Sequence, residues 1–145
     1  MAKRAPDRPG ELNNKLMRVA RAHRTLAASL LTQVGLHPGQ EALLMELWDE
    51  DGRTQANLAA ALGVEPPTVT KMLQRMEASG LVDRRPDATD RRAIRVHLTP
   101  KGRKLKTKVD KLWTELQSRT VAGLSDRQQA SLRSLLNSLE ANLTT

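Results

Sequence analysis

The sequence has no cysteine, phenylalanine or tyrosine, and Trp48 and Trp113 are its only aromatic side chains. The lack of cysteine excludes a disulfide framework, a thiolate metal site and a thiol-based redox sensor. Leucine, alanine, valine and methionine must therefore fill the core, which favours helices over a β-sandwich. No apolar run is long enough to span a bilayer. The start, "MAKRAPDRPGE", lacks the apolar stretch of a secretory signal. We expect a cytoplasmic protein whose residues 1–10 form a flexible tail.

Patterns typical of catalysis or metal binding are also missing. His23, His37 and His97 are the only histidines, and none stands at a metal-ligand spacing from another suitable side chain. The sequence contains no G-x-S-x-G motif and no phosphate-binding glycine loop. We therefore predict no catalytic residue, no metal and no cofactor, and we expect that the protein is not an enzyme.

Positive charge is concentrated in one part of the chain. Residues 66–106 hold eleven basic and four acidic side chains, a surplus of seven in a protein whose formal net charge is +8. A basic face of this kind is the expected footprint of a protein that binds a polyanion. The alternative is a charged surface that only faces solvent.

Regularly spaced apolar residues predict helices at both ends of the chain. The first helix should end near Gly35, and Pro38 suits the first turn of the second. Ser125 and Gln128 fit a capping box at the start of the last helix. A small core leaves the apolar stripes of the end helices uncovered, so we expect a symmetric dimer to bury them. The stripes comprise Leu12, Leu16, Val19, His23, Leu26 and Leu30, then Leu105, Val109, Leu112 and Leu116, and finally Leu132, Leu136, Leu139 and Leu143.

The centre of the sequence predicts a helix-turn-helix. "TQANLAAALG" begins at Thr54, a plausible N-cap, and "PPTVTKMLQRMEASG" follows after two residues with Pro66 in its first turn. The exposed positions of the second helix would enter the major groove, where Gln and Arg can contact base edges. These candidates could equally be the polar side of an amphipathic helix. They are Pro67, Thr68, Thr70, Lys71, Gln74 and Arg75.

A charged hairpin follows the two helices. "LVDRRP" and "AIRVHL" should form two strands joined by the turn "DATD". A lone hairpin is marginal in water, so its Ile94, Val96 and Leu98 face should lean on the helices. Thr99 would then cap the next helix, with Pro100 at its first position. The fold class is therefore mainly α with a small β-hairpin wing.

This order of elements resembles the winged helix-turn-helix domain of the MarR (multiple antibiotic resistance regulator) family. The residues that carry the resemblance are "TQANLAAALGVEPPTVTKMLQRMEASGLVDRRPDATDRRAIRVHLTPKGRKL". Within them, "DRRAIRVHLTPKG" is similar to the family's D-x-R wing pattern, which is followed by L-T-x-x-G at the start of the next helix. The flanking helices fit too, so the resemblance covers nearly the whole chain.

The resemblance implies a homodimeric DNA-binding regulator, commonly a repressor, on a pseudo-palindromic double-stranded operator. Residues 11–35 and 100–145 would form the dimerisation helices, and residues 38–99 the DNA-binding domain. Members of the family bind small anionic or aromatic effectors between the dimer helices and the DNA-binding lobe. The residues that would contribute to such a pocket here are Arg18, His23 and Trp48.

The resemblance also assigns the wing. Arg92 would be the arginine of the D-x-R pattern and would enter a narrow minor groove, with Asp90 bracing its guanidinium. Arg91, Arg84 and Arg85 would meet phosphates. The alternative is a solvated hairpin tip that protects an edge strand from aggregation.

Two other functions stay open at this point. A non-specific architectural DNA binder would need only the basic face and no effector pocket. A winged-helix module that binds an acidic protein partner would need the same face and would bind no duplex.

Overall fold

A computed structural model describes residues 8–144 of the protein. Of the predicted tail, residues 1–7 lie outside the described residues, and Gly10 directly precedes the first helix. The helices are α1 Glu11–Thr32, α2 Gln40–Asp49, α3 Gln55–Leu62, α4 Pro66–Ala78, α5 Pro100–Thr120 and α6 Asp126–Leu143. The strands are β1 Arg53–Thr54, β2 Val82–Pro86 and β3 Ile94–Leu98. The mainly α class with a β wing is confirmed.

Glycine-containing turns separate α1 from α2. α1 ends at Thr32, shortly before Gly35. α2 begins only at Gln40, because Gly39 takes the left-handed conformation with a φ of 93°. That conformation interrupts the helical backbone between Pro38 and α2. The prediction that Pro38 lies in the first turn of α2 is therefore wrong.

α3 and α4 form the predicted helix-turn-helix. The Thr54 side chain caps α3 by accepting a hydrogen bond from the Asn57 backbone N–H at 3.1 Å. Gly63 ends α3 in the left-handed conformation, and Pro66 opens α4. Three residues of one side of α4 are completely buried in the central core, namely Val69, Leu73 and Met76. The opposite side of α4 is consequently left for solvent or a ligand.

The wing contains the predicted hairpin and one strand more. β2 and β3 are antiparallel, and β1 pairs with the other edge of β3, which gives the order β1-β3-β2. Arg53 of β1 pairs with Val96. The sequence did not indicate β1, because a two-residue strand has no alternation of apolar and polar residues to reveal it.

The hairpin leans on the helices through only part of its predicted face. Val96 and Leu98 are buried, as expected, whereas Ile94 is 39% exposed. Ile94 lies at the free end of β3 and pairs there only with Pro86 of β2. The prediction that Ile94 packs against the helices is therefore wrong, since this residue lies at the end of β3 next to the exposed turn.

The end of α4 is joined closely to the start of α5. The Thr99 side chain caps α5 by accepting from the Gly102 N–H at 3.1 Å, and its hydroxyl donates to the Gly80 carbonyl at 2.5 Å. The Thr99 backbone N–H donates to the Leu81 carbonyl at 3.1 Å. From α2, the Trp48 indole N–H donates to the Gly102 carbonyl at 3.0 Å. These bonds fix the direction in which α5 leaves the helix-turn-helix and the hairpin.

The end helices keep much of their apolar surface uncovered. α5 packs on α1 and buries its predicted stripe, but Leu12, Leu16 and Val19 at the start of α1 are exposed. α6 begins with the predicted capping box at Ser125 and buries no residue against the rest of the described chain. Along residues 8–144, no helix combines the length and apolarity needed to cross a membrane.

Candidate nucleic-acid interface

The outward side of α4 is a polar, basic surface. Pro67, Thr68, Lys71, Gln74 and Arg75 are exposed there, as the sequence predicted. They lie on one side of the helix because its other side is held in the core. Lys71 and Arg75 form no ion pair with any residue between 8 and 144. Both cations are therefore available to an external anion.

Thr70 has different surroundings from the other candidates on α4. Its side chain is half-buried, and its hydroxyl donates to the Pro66 carbonyl at 3.1 Å. The same oxygen accepts a long, weak hydrogen bond of 3.5 Å from the Gln55 amide of α3. Thr70 therefore helps to join the two helices of the motif, a role that the sequence pattern did not indicate.

Many basic residues of the segment are already paired. The Arg84 guanidinium donates to Glu77 of α4 at 2.8 Å, and Arg85 lies 3.6 Å from Asp83. Arg103 donates to Asp51 at 2.9 Å. Arg84 thus ties β2 to α4, whereas Arg85 stays largely exposed beside a partner that holds it weakly. Six of the eleven basic residues between positions 66 and 106 form no ion pair with a described residue, namely Lys71, Arg75, Arg91, Arg92, Lys101 and Lys104.

Two of those free cations stand at the tip of the wing. Arg91 and Arg92 are exposed and form no ion pair with any described residue. Asp90 was predicted to orient the Arg92 guanidinium, but it contacts the Arg92 backbone instead. It accepts a hydrogen bond from the Arg92 backbone N–H at 3.0 Å, and no contact between described residues joins it to the guanidinium. Asp90 therefore orders the backbone of the turn and leaves the Arg92 side chain free to contact a ligand.

A second aspartate organises the wing turn. Asp87 accepts hydrogen bonds from the Thr89 N–H, the Thr89 hydroxyl and the Asp90 N–H, and it pairs with the Arg95 guanidinium. The Arg95 contact first, and the Thr89 and backbone contacts next, hold the pKa of the Asp87 carboxyl well below its usual range. Asp87 is thus ionised at any pH at which the protein is ordinarily handled.

Asp87, Arg95 and the loop before β1 were not among the functional residues that the sequence predicted. In that loop, Asp51 accepts from the Leu98 backbone N–H at 2.8 Å, and the Gly52 carbonyl accepts from the Arg95 guanidinium at 2.8 Å. A turn-forming aspartate after Pro86 was the one available signal. The contacts with residues 51 and 52 join positions more than forty residues apart, so no local pattern could predict them.

The three residues implied for an effector pocket lie in separate surroundings. Arg18 lines surface grooves along α1 together with Arg21. His23 lines another groove, of about 330 Å³, with Trp113 and residues of α5. Trp48 is half-buried against the central core. Within one chain, these side chains do not line a common groove.

Residues 8–144 contain no group of histidine and carboxylate side chains arranged to hold a metal ion. The surface formed by α4 and the wing turn presents hydrogen-bond donors and cations. Such groups suit phosphate oxygens and base edges.

Comparison with known proteins agrees with this geometry. The MarR family profile matches residues 36–94, from the turn before α2 to the start of β3. The HTH-type transcriptional regulator TtmR of Methylorubrum extorquens is 34% identical in an alignment of 143 residues that covers 96% of this chain and 71% of that protein. This chain belongs to the MarR family. It is a MarR-family transcriptional regulator, so the family prediction from the sequence is confirmed.

Solved structures of MarR proteins have the same fold. A MarR transcriptional regulator from Methanosarcina mazei Go1 has a TM-score of 0.78 and 28% identity, over 90% of this chain and 94% of its own. A mutant MarR from E. coli, crystallised in complex with operator DNA, has a TM-score of 0.78 and 24% identity, over 88% and 92%. The MarR fold therefore extends over α1 and α6 as well as the winged helix.

Proposed function

We propose that this MarR-family protein binds a pseudo-palindromic operator as a homodimer and acts as a repressor that a small effector releases. The main support for this proposal is that several cations of α4 and the wing form no ion pair with a described residue. Lys71 and Arg75 lie on the exposed side of α4, and Arg91 and Arg92 lie at the wing tip. A helix and a wing that present such groups match a major groove and the adjoining minor groove.

In this proposal the side chains of α4 and of the wing contact different parts of the DNA. Gln74 and Arg75 read base edges in the major groove, because their amide and guanidinium groups can bond to a base in two places. Lys71 and Thr68 contact phosphates. Arg92 enters the minor groove, where a narrow groove concentrates negative potential. Arg91 and Arg85 contact the flanking backbone, whereas Arg84 is already engaged with Glu77.

The uncovered apolar residues support a dimer. Leu12, Leu16 and Val19 of α1 are exposed, as are Leu135, Leu136, Leu139 and Leu143 of α6. Leucines in such number on helices of one chain are typical of surfaces that a second chain covers. Two-fold symmetry would then present two α4 helices to successive major grooves, about one helical turn apart.

Effector release would follow from a change in the spacing of the two DNA-binding lobes. The close junction between α4 and α5 supports this proposal, because a rotation of α5 would move α4 with it. A ligand that binds the non-matching arrangement more tightly would shift the population away from the DNA-bound state. Small anionic or aromatic compounds are the class that the family resemblance implies.

The proposal is tested by selecting duplexes from a random DNA library with the purified protein and measuring affinity by fluorescence anisotropy. We expect selected duplexes to bind far more tightly than scrambled ones at the same salt concentration, and binding to weaken steeply as salt increases. Arg92→Ala should weaken binding about tenfold without dissociating the dimer. Unchanged affinity would remove Arg92 from the interface.

The same experiment separates the two alternative functions. Equal affinity for selected and scrambled duplexes would identify an architectural DNA binder without sequence preference. Absence of binding to any duplex at low salt would favour a module that recognises an acidic protein.

A further inference from the structure

In the wing turn, three hydrogen-bond donors and one guanidinium contact a single carboxylate, that of Asp87. One oxygen of Asp87 accepts from the Thr89 N–H at 3.1 Å, the Thr89 hydroxyl at 2.8 Å and the Asp90 N–H at 2.9 Å. The other oxygen pairs with the Arg95 side chain on β3. The Asp87 side chain is only 9% exposed, although it lies in a surface turn. The donors around the carboxylate therefore surround it almost completely.

Arg95 extends this network to the body of the domain. A second nitrogen of its guanidinium donates to the Gly52 carbonyl at 2.8 Å, in the loop between α2 and β1. The Gly52 N–H in turn donates to the Val96 carbonyl at 3.0 Å. Asp87 is thus connected, through Arg95, to a loop that is anchored on the central strand of the sheet.

This network holds the backbone of the wing tip, which in the proposed function contacts DNA. Arg91 and Arg92 follow directly after the turn, and no ion pair with a described residue holds their side chains. The conformation of the turn backbone therefore determines where the two guanidinium groups lie. That backbone is fixed by the Asp87 contacts on one side and by the Asp90 contact with the Arg92 N–H on the other.

We propose that Asp87 is the positioning residue of the wing: it fixes the tip to the domain through Arg95 and so directs Arg91 and Arg92 towards DNA. The inference rests on the proposed function, because it assigns the tip to DNA. It assigns to Asp87 no contact with the nucleic acid.

The sign of the effect on DNA affinity separates positioning from simple electrostatics. Asp87 is an acid within a basic surface, so its loss increases the positive charge of the wing by one. Electrostatics alone would then strengthen binding to a polyanion. If Asp87 positions the arginines, its loss weakens binding in spite of the added charge.

The experiment compares Asp87→Ala and Asp87→Asn with the matched control Asp83→Asn, by anisotropy on the selected duplex. Asp83 lies in the same hairpin, and its only ion pair with a residue between 8 and 144 is the long one with Arg85, so its neutralisation adds the same charge without releasing the turn. We expect Asp87→Ala to weaken binding about tenfold, Asp87→Asn to weaken it less, and Asp83→Asn to leave it equal or tighter. The asparagine keeps an oxygen for the backbone donors and loses only the charge that holds Arg95.

A double-mutant cycle with Arg92→Ala tests whether Asp87 acts through the arginine. If it does, adding Asp87→Ala to Arg92→Ala causes much less than the tenfold loss seen in the wild-type background. Fully additive effects, or tighter binding by Asp87→Ala, would overturn the inference.

A measurement without DNA keeps the inference separate from the proposed function. Limited trypsin digestion of the free dimer should cleave after Arg91 and Arg92 at least several times faster in Asp87→Ala than in the wild type, with circular dichroism unchanged. Equal cleavage rates would show that Asp87 does not hold the tip, whatever the protein binds. If the wild type binds no duplex but the variant is cleaved faster, the proposed function fails while the positioning of the tip is supported.

Discussion

Gly102 stands where the backbones of two elements meet. It lies in the first turn of α5, and a Cβ added to it would come within 2.2 Å of the Leu81 carbonyl oxygen. That oxygen also accepts the Thr99 N–H and belongs to the chain just after α4. A backbone atom held in this way cannot move aside as the end of a side chain could. The glycine is therefore needed for contact rather than for a special backbone angle.

Gly102→Ala should lower the free energy of unfolding by about 1–3 kcal/mol, because the added methyl group overpacks the junction. In an open helix the same substitution would stabilise by up to about 1 kcal/mol. A close contact with Leu81 thus predicts that Gly102→Ala lowers the free energy of unfolding, whereas helix propensity alone predicts that it raises it. Urea unfolding at one fixed protein concentration measures the difference.

Lys104→Ala is the control for Gly102→Ala, since Lys104 is an exposed residue of the same helix. Its effect should stay within about 0.5 kcal/mol. If Gly102→Ala proved as stable as the wild type, the close approach of α5 to Leu81 would be contradicted.

At the scale of elements, α4 has two kinds of exposed residue. Lys71 is an exposed cation with no ion pair in the described chain, whereas Gln74 offers an uncharged amide on the same side. A cation that meets a phosphate contributes affinity for any sequence, and an amide that meets a base edge contributes discrimination. The two side chains should thus affect different properties of DNA binding.

Lys71→Ala should reduce the slope of log affinity against log salt by about one and weaken binding to all duplexes alike. Gln74→Ala should leave that slope unchanged and reduce the preference for the selected duplex by about 1–3 kcal/mol. Anisotropy titrations at several salt concentrations measure both quantities.

Lys108→Ala, which removes one charge from α5, controls for net charge in these titrations. A slope that changed equally for Lys108→Ala would remove Lys71 from the interface. Undiminished discrimination by Gln74→Ala would mean that Gln74 does not read the operator.

At the scale of the whole molecule, α6 is the element least explained by a single chain. It buries no residue within the described chain, and Leu136 is 48% exposed. An isolated helix of 18 residues with exposed leucines is only marginally stable in water, because most helix stability in proteins comes from packing of an apolar face. In the dimer that we propose, a second chain would cover these leucines together with the start of α1 and so stabilise α6.

Leu136→Glu should therefore dissociate the proposed dimer, because it would place a charge in an apolar interface. Sedimentation velocity at several concentrations distinguishes monomer from dimer. Ser134→Glu introduces the same charge at an exposed polar position of α6 and should leave the dimer intact. A Leu136→Glu protein that stayed dimeric would place the interface elsewhere.

Much of the fold follows from the sequence, because its signals are local. Helix periodicity, the caps at Thr54, Thr99 and Ser125, and the glycine after α3 all depend on residues within a few positions of one another. The exposed side of α4 follows from the same periodicity, once its buried side is recognised. The charged turn between the short segment "LVDRRP" and the alternating segment "AIRVHL" likewise predicted the hairpin.

Only the tertiary structure decided how these pieces are joined. β1 pairs with β3 across some forty residues, and Arg95 reaches the Gly52 carbonyl over a similar separation. It also showed that Thr70 and Arg84 are held by neighbouring elements, and that Asp90 bonds to a backbone N–H rather than to the Arg92 guanidinium. Such contacts depend on which surfaces meet after folding. The sequence by itself thus determined the elements and their amphipathic faces, whereas packing determined which charges stay free to bind.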